Sequence, residues 1–257
     1  AAIGRKDRFR MGISKNLPVS GDQARVDHTR LFAALEPEIA RINEAMRADL
    51  THIASPALAE VLEHALFNGG KRIRPALTVF AARLCGAEEL LPAEKIYQLA
   101  IAFEYLHAAS LLHDDVIDHA YQRRGNLSAN ILWGNTPVIL AGDYLHARAM
   151  QLAGAMDTPR CVGLVGQATT AMVEAEFLQL RNAREGSRSE SRYFKVLEGK
   201  TGALIASACE AGAALARVEP RHQQALQTYG NNLGLAFQLV DDLLDYLGDP
   251  RQTGKAV

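Results

Sequence analysis

One acidic pattern occurs twice in this chain, each time against an apolar run. His113-Asp114-Asp115-Val116-Ile117-Asp118 closes the stretch Leu99 to Leu112, and Asp241-Asp242-Leu243-Leu244-Asp245 follows Gln238-Leu239-Val240. On a helix, Asp114 and Asp118 are four apart and share a face, about 6 Å from one another along the axis. The first cluster then sits at a helix C-terminus, where the macrodipole disfavours anions, so something cationic should offset it. A single cluster of this kind reads as an exposed acidic patch. Two of them, both set in apolar helices, do not, because carboxylates are rarely buried unless paired or bound to a cation.

The rest of the chain supports helices. Leu31, Leu35, Ile39, Ile42 and Met46 recur at three- and four-residue steps, the spacing of one apolar helical face. Ser55-Pro56, Thr136-Pro137 and Thr158-Pro159 look like caps followed by proline at a helix start. Helices are expected near 28–52, 56–68, 72–85, 92–119, 136–154, 158–183, 190–216 and 220–248, with a break near Gly199–Gly202. Sustained period-2 alternation is missing, so no strand is expected. The segments 92–119 and 220–248 are apolar on most faces and read as central, buried helices. Residues 1–26 read as a polar arm, and 27–257 as one all-α domain.

Composition narrows the function. With 257 residues and 48% hydrophobic content, the chain can bury a core without staples. A net charge of −1 argues against nucleic acid as a partner. Cys85, Cys161 and Cys209 stand far apart, which fits a reducing cytoplasm rather than a disulfide framework or a cysteine zinc site. No run is long and uncharged enough to span a membrane.

Hard carboxylate oxygens select Mg²⁺ or Ca²⁺, and few carboxylates per ion, completed by water and phosphate, is the habit of Mg²⁺. A Mg²⁺ site shared with a phosphorylated ligand between two facing helices is therefore expected. Gly69-Gly70-Lys71-Arg72-Ile73-Arg74-Pro75 puts three cations at a helix start, and Arg123-Arg124-Gly125 follows the first cluster. Alone, the first is a weak phosphate loop that also reads as a solvated basic turn. Lys200-Thr201-Gly202 and Lys255 are further candidates, although single lysines usually carry only surface charge.

Taken together, Lys71 to Pro75, the first aspartate cluster with Arg123-Arg124, Lys200-Thr201, and Phe237-Gln238 before the second cluster resemble trans-isoprenyl (polyprenyl) diphosphate synthases of the medium- and long-chain type. Order and spacing agree from about residue 30 onward. The resemblance implies an all-α, isoprenoid synthase-type helical bundle around a central cavity, acting as a homodimer. It implies head-to-tail condensation of isopentenyl diphosphate with an allylic diphosphate. It also implies three Mg²⁺ ions, with Asp114 and Asp118 ligating two and Asp241 the third, supported by Asp115, Asp242 and Asp245. By the same resemblance Arg123, Lys200 and Lys255 hold the allylic diphosphate, and Lys71, Arg74, His107 and Arg124 hold isopentenyl diphosphate. Thr201 and Gln238 face the developing cation, and Gln179 is a further polar cavity position. His107 also has a plain reading as a packed helix histidine. The family often has glycine where Ala175 stands.

Ser110 and Ala109 lie about one turn before Asp114, where bulky residues in the family act as a floor. Both are small here, and Phe103 is a deeper candidate floor. The expected product is longer than C20, about C35–C45; a farnesyl or geranylgeranyl diphosphate synthase is the alternative. Such a product leaves for a membrane, so transient membrane contact is expected. A class I terpene cyclase would leave Lys71 and Arg74 unexplained, and a non-catalytic subunit of a heteromeric synthase tends to lose the aspartates that are intact here. The resemblance also implies that 27–257 lacks C-terminal helices and is poorly active alone.

Overall fold

The computed structural model describes residues 28–247, so the arm 1–26 and Lys255 lie outside the described residues. Two compact units are distinguished, 1–34 and 35–257. Of the first, only the opening of helix α1 (His28–Leu50) is described; the second holds the remainder of α1 and every later element.

The order after α1 is α2 (Pro56–Phe67), α3 (Ile73–Leu84), a 3₁₀ turn (Ala87–Glu89) and α4 (Ala93–Ile117). A two-residue antiparallel pair, β1 (Gln122–Arg123) and β2 (Asn126–Leu127), leads to α5 (Ala129–Trp133) and α6 (Asn135–Gly154). Helices α7 (Pro159–Glu185), α8 (Glu190–Leu197), α9 (Ala203–Leu215) and α10 (Pro220–Leu247) complete it, with a π-turn (Glu198–Gly202) joining α8 to α9. Among the described residues the chain is all-α apart from that one ribbon, and the break expected near Gly199–Gly202 is the π-turn.

Helix α4 is buried all round from Leu99 to Leu106, because every side chain there except Glu104 and the Tyr105 hydroxyl is apolar. Helix α9 is equally buried, from Leu204 to Leu215, for a different reason. It is built from alanine and glycine, so neighbouring backbones approach closely. A side chain at Gly212 would meet Thr78 O at 2.5 Å and Ala82 N at 2.7 Å, both on α3.

Four expectations need correction. The residues 122–127 form a strand pair because Arg124 (φ 53°) and Gly125 (φ 80°) both adopt positive φ, the geometry of a two-residue hairpin turn. The helix expected from 136 is found, but Thr136 is not its cap: α6 begins at Asn135, directly after Gly134 (φ 79°) ends α5, and Pro137 falls in its first turn. Thr158 precedes α7 without a capping side-chain bond, whereas the Ser55 hydroxyl accepts from Leu58 N at 3.4 Å. Helix α10 is not central. Its fully buried described positions are Gly230 and Gly234, while Phe237, Val240, Leu243 and Leu244 are exposed. It packs through its glycine face: a Cβ at Gly234 would lie 2.8 Å from Gly202 Cα, and one at Gly230 would lie 2.7 Å from Ile205 O.

Candidate active site

The first aspartate cluster ends α4. Asp115 is buried, and Arg123 of β1 donates to its Oδ1 through Nε at 2.9 Å and also through Nη2. This is the cation the helix end required. Asp118 is exposed as the C-cap. Asp114 lies between the two in exposure, and burial pushes its carboxyl above the usual carboxylate range; Lys200 opposes that shift, and Glu176 and Asp118 add to it. The end of α4 therefore faces the junction of α7 with the π-turn.

That junction orients the polar side chains. A π-turn inserts an extra residue into the helical ladder and breaks the regular stacking of faces. Lys200 Nζ donates to Glu176 Oε2 at 2.8 Å and reaches Gln179 Oε1 at 3.5 Å. Thr201, buried, donates to Gln238 Oε1 at 2.9 Å, and Gln238 Nε2 donates to Asp242 Oδ1 at 2.9 Å. Tyr193 OH on α8 also donates to Asp242. The second cluster is thus tied through Gln238 to Thr201, the residue next to Lys200. Ala175 is accommodated because Gly199 faces it; a Cβ at Gly199 would lie 2.5 Å from the Ala175 methyl.

A cationic group gathers beside α4, two turns before Asp114. Gly69 (φ 88°) and Gly70 (φ 122°) turn the chain into α3. Arg74 Nε is buried without a hydrogen-bond partner among the described residues. Burial lowers the Arg74 pKa, Arg124 lowers it further, and Glu104 opposes both. Arg124 Nη1 donates to Gly69 O at 2.6 Å. Burial, followed by Arg74, Arg124, Arg123 and Arg72, holds His107 well below its ordinary value and therefore neutral. Lys71 is exposed at the rim.

The structure thus places Lys200 with Glu176 and Gln179, Thr201 next in the chain with Gln238 and Asp242, and Arg74, His107 and Arg124 in another group. Arg123, expected on a diphosphate, is engaged by Asp115. Among the described residues no three metal-ligating side chains converge on one point; the Asp245 side chain and Lys255 lie outside the description. Ser110 is partly open, its hydroxyl donating to His107 O at 2.8 Å, whereas Ala109 and Phe103 are wholly buried. Sequence reasoning missed Glu176, Tyr193 and Glu104. Glu176 was adjacent to a recognised position, but an isolated Tyr193 or Glu104 carries no motif.

A family model, "Polyprenyl synthetase", matches residues 55–257. The chain is 37% identical over 222 residues to the octaprenyl diphosphate synthase of Haemophilus influenzae, covering 86% of this chain and 66% of that protein. It is 40% identical over 190 residues to that of Escherichia coli, covering 74% of this chain and 58% of that protein. A crystal structure of a polyprenyl synthase from Caulobacter crescentus, complexed with calcium and isoprenyl diphosphate, superposes with a TM-score of 0.79 at 38% identity, covering 87% of this chain and 66% of that one. The chain accordingly spans about three-fifths to two-thirds of the length of these relatives. The helices that carry both aspartate clusters and both cation groups all fall within the matched region, and the chain belongs to the polyprenyl synthetase family.

Proposed function

We propose that the protein is a Mg²⁺-dependent trans-prenyltransferase that joins isopentenyl diphosphate head-to-tail to an allylic diphosphate. The observation that carries this reading is that two anion-directed groups lie along α4: Arg74 of α3 and Arg124 of the hairpin gather beside His107, and the carboxylates stand at its C-terminal end. His107 and Asp114 are seven residues apart, two turns or about 10 Å along the axis. One group offers cations directly; the other offers carboxylates suited to a bridging cation. Two diphosphates held by two different chemistries is what a condensation needs and a cyclase does not.

The residues fit Mg²⁺ by donor type. Burial raises the Asp114 carboxyl, and Glu176 and Asp118 add to this against the opposing Lys200 and Arg123; a hard divalent cation relieves such a group. Asp114, Asp118 and Asp241 would hold it, with Asp115, Asp242 and Asp245 in support. Bound there, Mg²⁺ supplies the Lewis-acid charge that neutralises a leaving diphosphate. Lys200 exchanges Glu176 for the allylic diphosphate, joined by Arg123 and Lys255. Arg74, Arg124, Lys71 and His107 orient isopentenyl diphosphate so that its double bond meets the allylic carbon. Thr201 and Gln238 turn oxygen dipoles toward the developing cation, Gln179 fixes Lys200, and buried α4 excludes water.

Small Ser110 and Ala109 support a product longer than C20, about C35–C45, with Phe103 as a deeper floor. Free thiols at Cys85, Cys161 and Cys209 accord with the cytoplasm, and among the described residues no helix is long and apolar enough to cross a membrane. Neighbouring helices α6 and α7 expose Ile139, Leu140 and Met150, and Val173, Phe177 and Leu180, which supports a homodimer formed through these faces.

The test is incubation of the full protein with radiolabelled isopentenyl diphosphate, an allylic primer and Mg²⁺. Incorporation that EDTA abolishes, with chromatography showing chains beyond C20, is the expected result. A product of C15 or C20 overturns the length, and absent incorporation overturns the activity.

A further inference from the structure

Arg72 sits inside the cationic loop but differs from its neighbours. Its backbone is left-handed (φ 51°, ψ 33°), a conformation that non-glycine residues adopt rarely. Its side chain is turned into the protein and satisfied by three separate elements. Nε donates to Asn43 Oδ1 of α1 at 2.9 Å, Nη1 donates to Glu104 Oε1 of α4 at 2.8 Å, and Nη2 donates to Leu66 O of α2. The Arg72 and Glu104 side chains are 4% and 5% exposed. Arg72 therefore has every nitrogen engaged, whereas Arg74, two residues on, keeps a buried Nε with no partner among the described residues.

Glu104 acts beyond that pair. It is the carboxylate whose charge is felt by both Arg74 and Arg124, and it precedes His107 by one turn on the same helix. Gly70 shows how close the cations come: a Cβ there would lie 2.9 Å from Arg72 Nη1 and 3.0 Å from Arg124 Nη1. Of the two, Arg72 is buried and Arg124 exposed, and a buried guanidinium held this near a like charge needs a fixed countercharge to stay put.

We infer that Glu104 and Arg72 are positioning residues of the isopentenyl diphosphate site: the buried pair locks the left-handed turn at Gly69 to Arg72, so that Arg74 and Arg124 stand preformed and open for the incoming diphosphate. This rests on the reading of that cation group as a diphosphate site. Glu104 gives Arg72 an internal partner, which reserves the other two guanidiniums for the ligand. Without it, Arg72 loses its internal partner and repels the neighbouring guanidiniums out of place, and the loop loses its link to α4.

The position effect and the plain charge effect have opposite signs. Loss of a buried negative charge alone should tighten anion binding; loss of the lock should weaken it. Calorimetric titration of isopentenyl diphosphate into the wild type, Glu104→Gln and the double variant Arg72→Met/Glu104→Leu separates them. Replacing both members of a buried pair by apolar side chains preserves stability where removing one does not, so the double variant guards against simple unfolding. Expected are a roughly tenfold weaker Kd in both variants, a double-variant Tm within a few degrees of wild type, and a KM for the allylic primer within about threefold. Unchanged or tighter binding in Glu104→Gln, wild-type binding in the double variant, or equal losses for both substrates would overturn the inference. A wild type that binds no isopentenyl diphosphate sinks the site reading and this inference together, whereas a binding wild type with indifferent variants sinks only the role of Glu104 and Arg72.

Discussion

Asp115 is 3% exposed and has Arg123 as its charge partner. Removing one member of such a pair leaves a carboxylate that neither water nor protein compensates. Because the Arg123 side chain is 37% exposed, solvent screens part of the effect. Arg123→Met is expected to cost about 1–2 kcal/mol, measured as a lower urea midpoint. A midpoint equal to wild type would mean that water reaches Asp115 and that the pair is ornamental. This pairing was half legible from sequence. Three aspartates at a helix end demanded a cation, and Arg123 was the nearest in sequence. What the spacing could not reveal is that the hairpin aims Arg123 at Asp115 rather than at open space, since that depends on positive φ at Arg124 and Gly125.

At the scale of elements, the α9–α10 contact shows where pattern reading goes astray. Phe237, Val240, Leu243 and Leu244 look like the seam of α10, yet all are exposed and the seam is Gly230 and Gly234. Helices that meet through glycine bring backbones together, so the large residues on the flanks contribute less than the absent side chains. A methyl at Gly234 meets the Gly202 backbone, which cannot yield like a flexible side chain. Gly234→Ala should therefore destabilise by about 1–3 kcal/mol. Gly163→Ala, in α7 with nothing within 4 Å of the added methyl, should stabilise by about 0.5–1 kcal/mol through the unfolded chain. Thermal melts of the two variants moving in the same direction would contradict the glycine seam. The same contact sets the site, because it presses Gln238 against Thr201.

At the scale of the whole molecule, the exposed faces of α6 and α7 carry a prediction about assembly. Phe177 is 71% exposed and Leu140 59%, more apolar surface than isolated positions require. Sedimentation equilibrium should find a dimer for the wild type and a monomer for Leu140→Glu/Phe177→Glu; a monomeric wild type would refute the assignment of these faces. By itself the sequence determined the helical class, the placing of both aspartate clusters on helices, the cations that accompany them and the family, because helical periodicity and motif spacing are local properties of a chain. Tertiary structure alone decided that Arg123 belongs to Asp115, that Lys200 rests on Glu176, that α9 rather than α10 is buried, and that Arg72 turns inward to Glu104. Each of these depends on which surfaces meet across tens of residues, and that is fixed by backbone approach and by the need to partner buried charge, neither of which leaves a periodic trace.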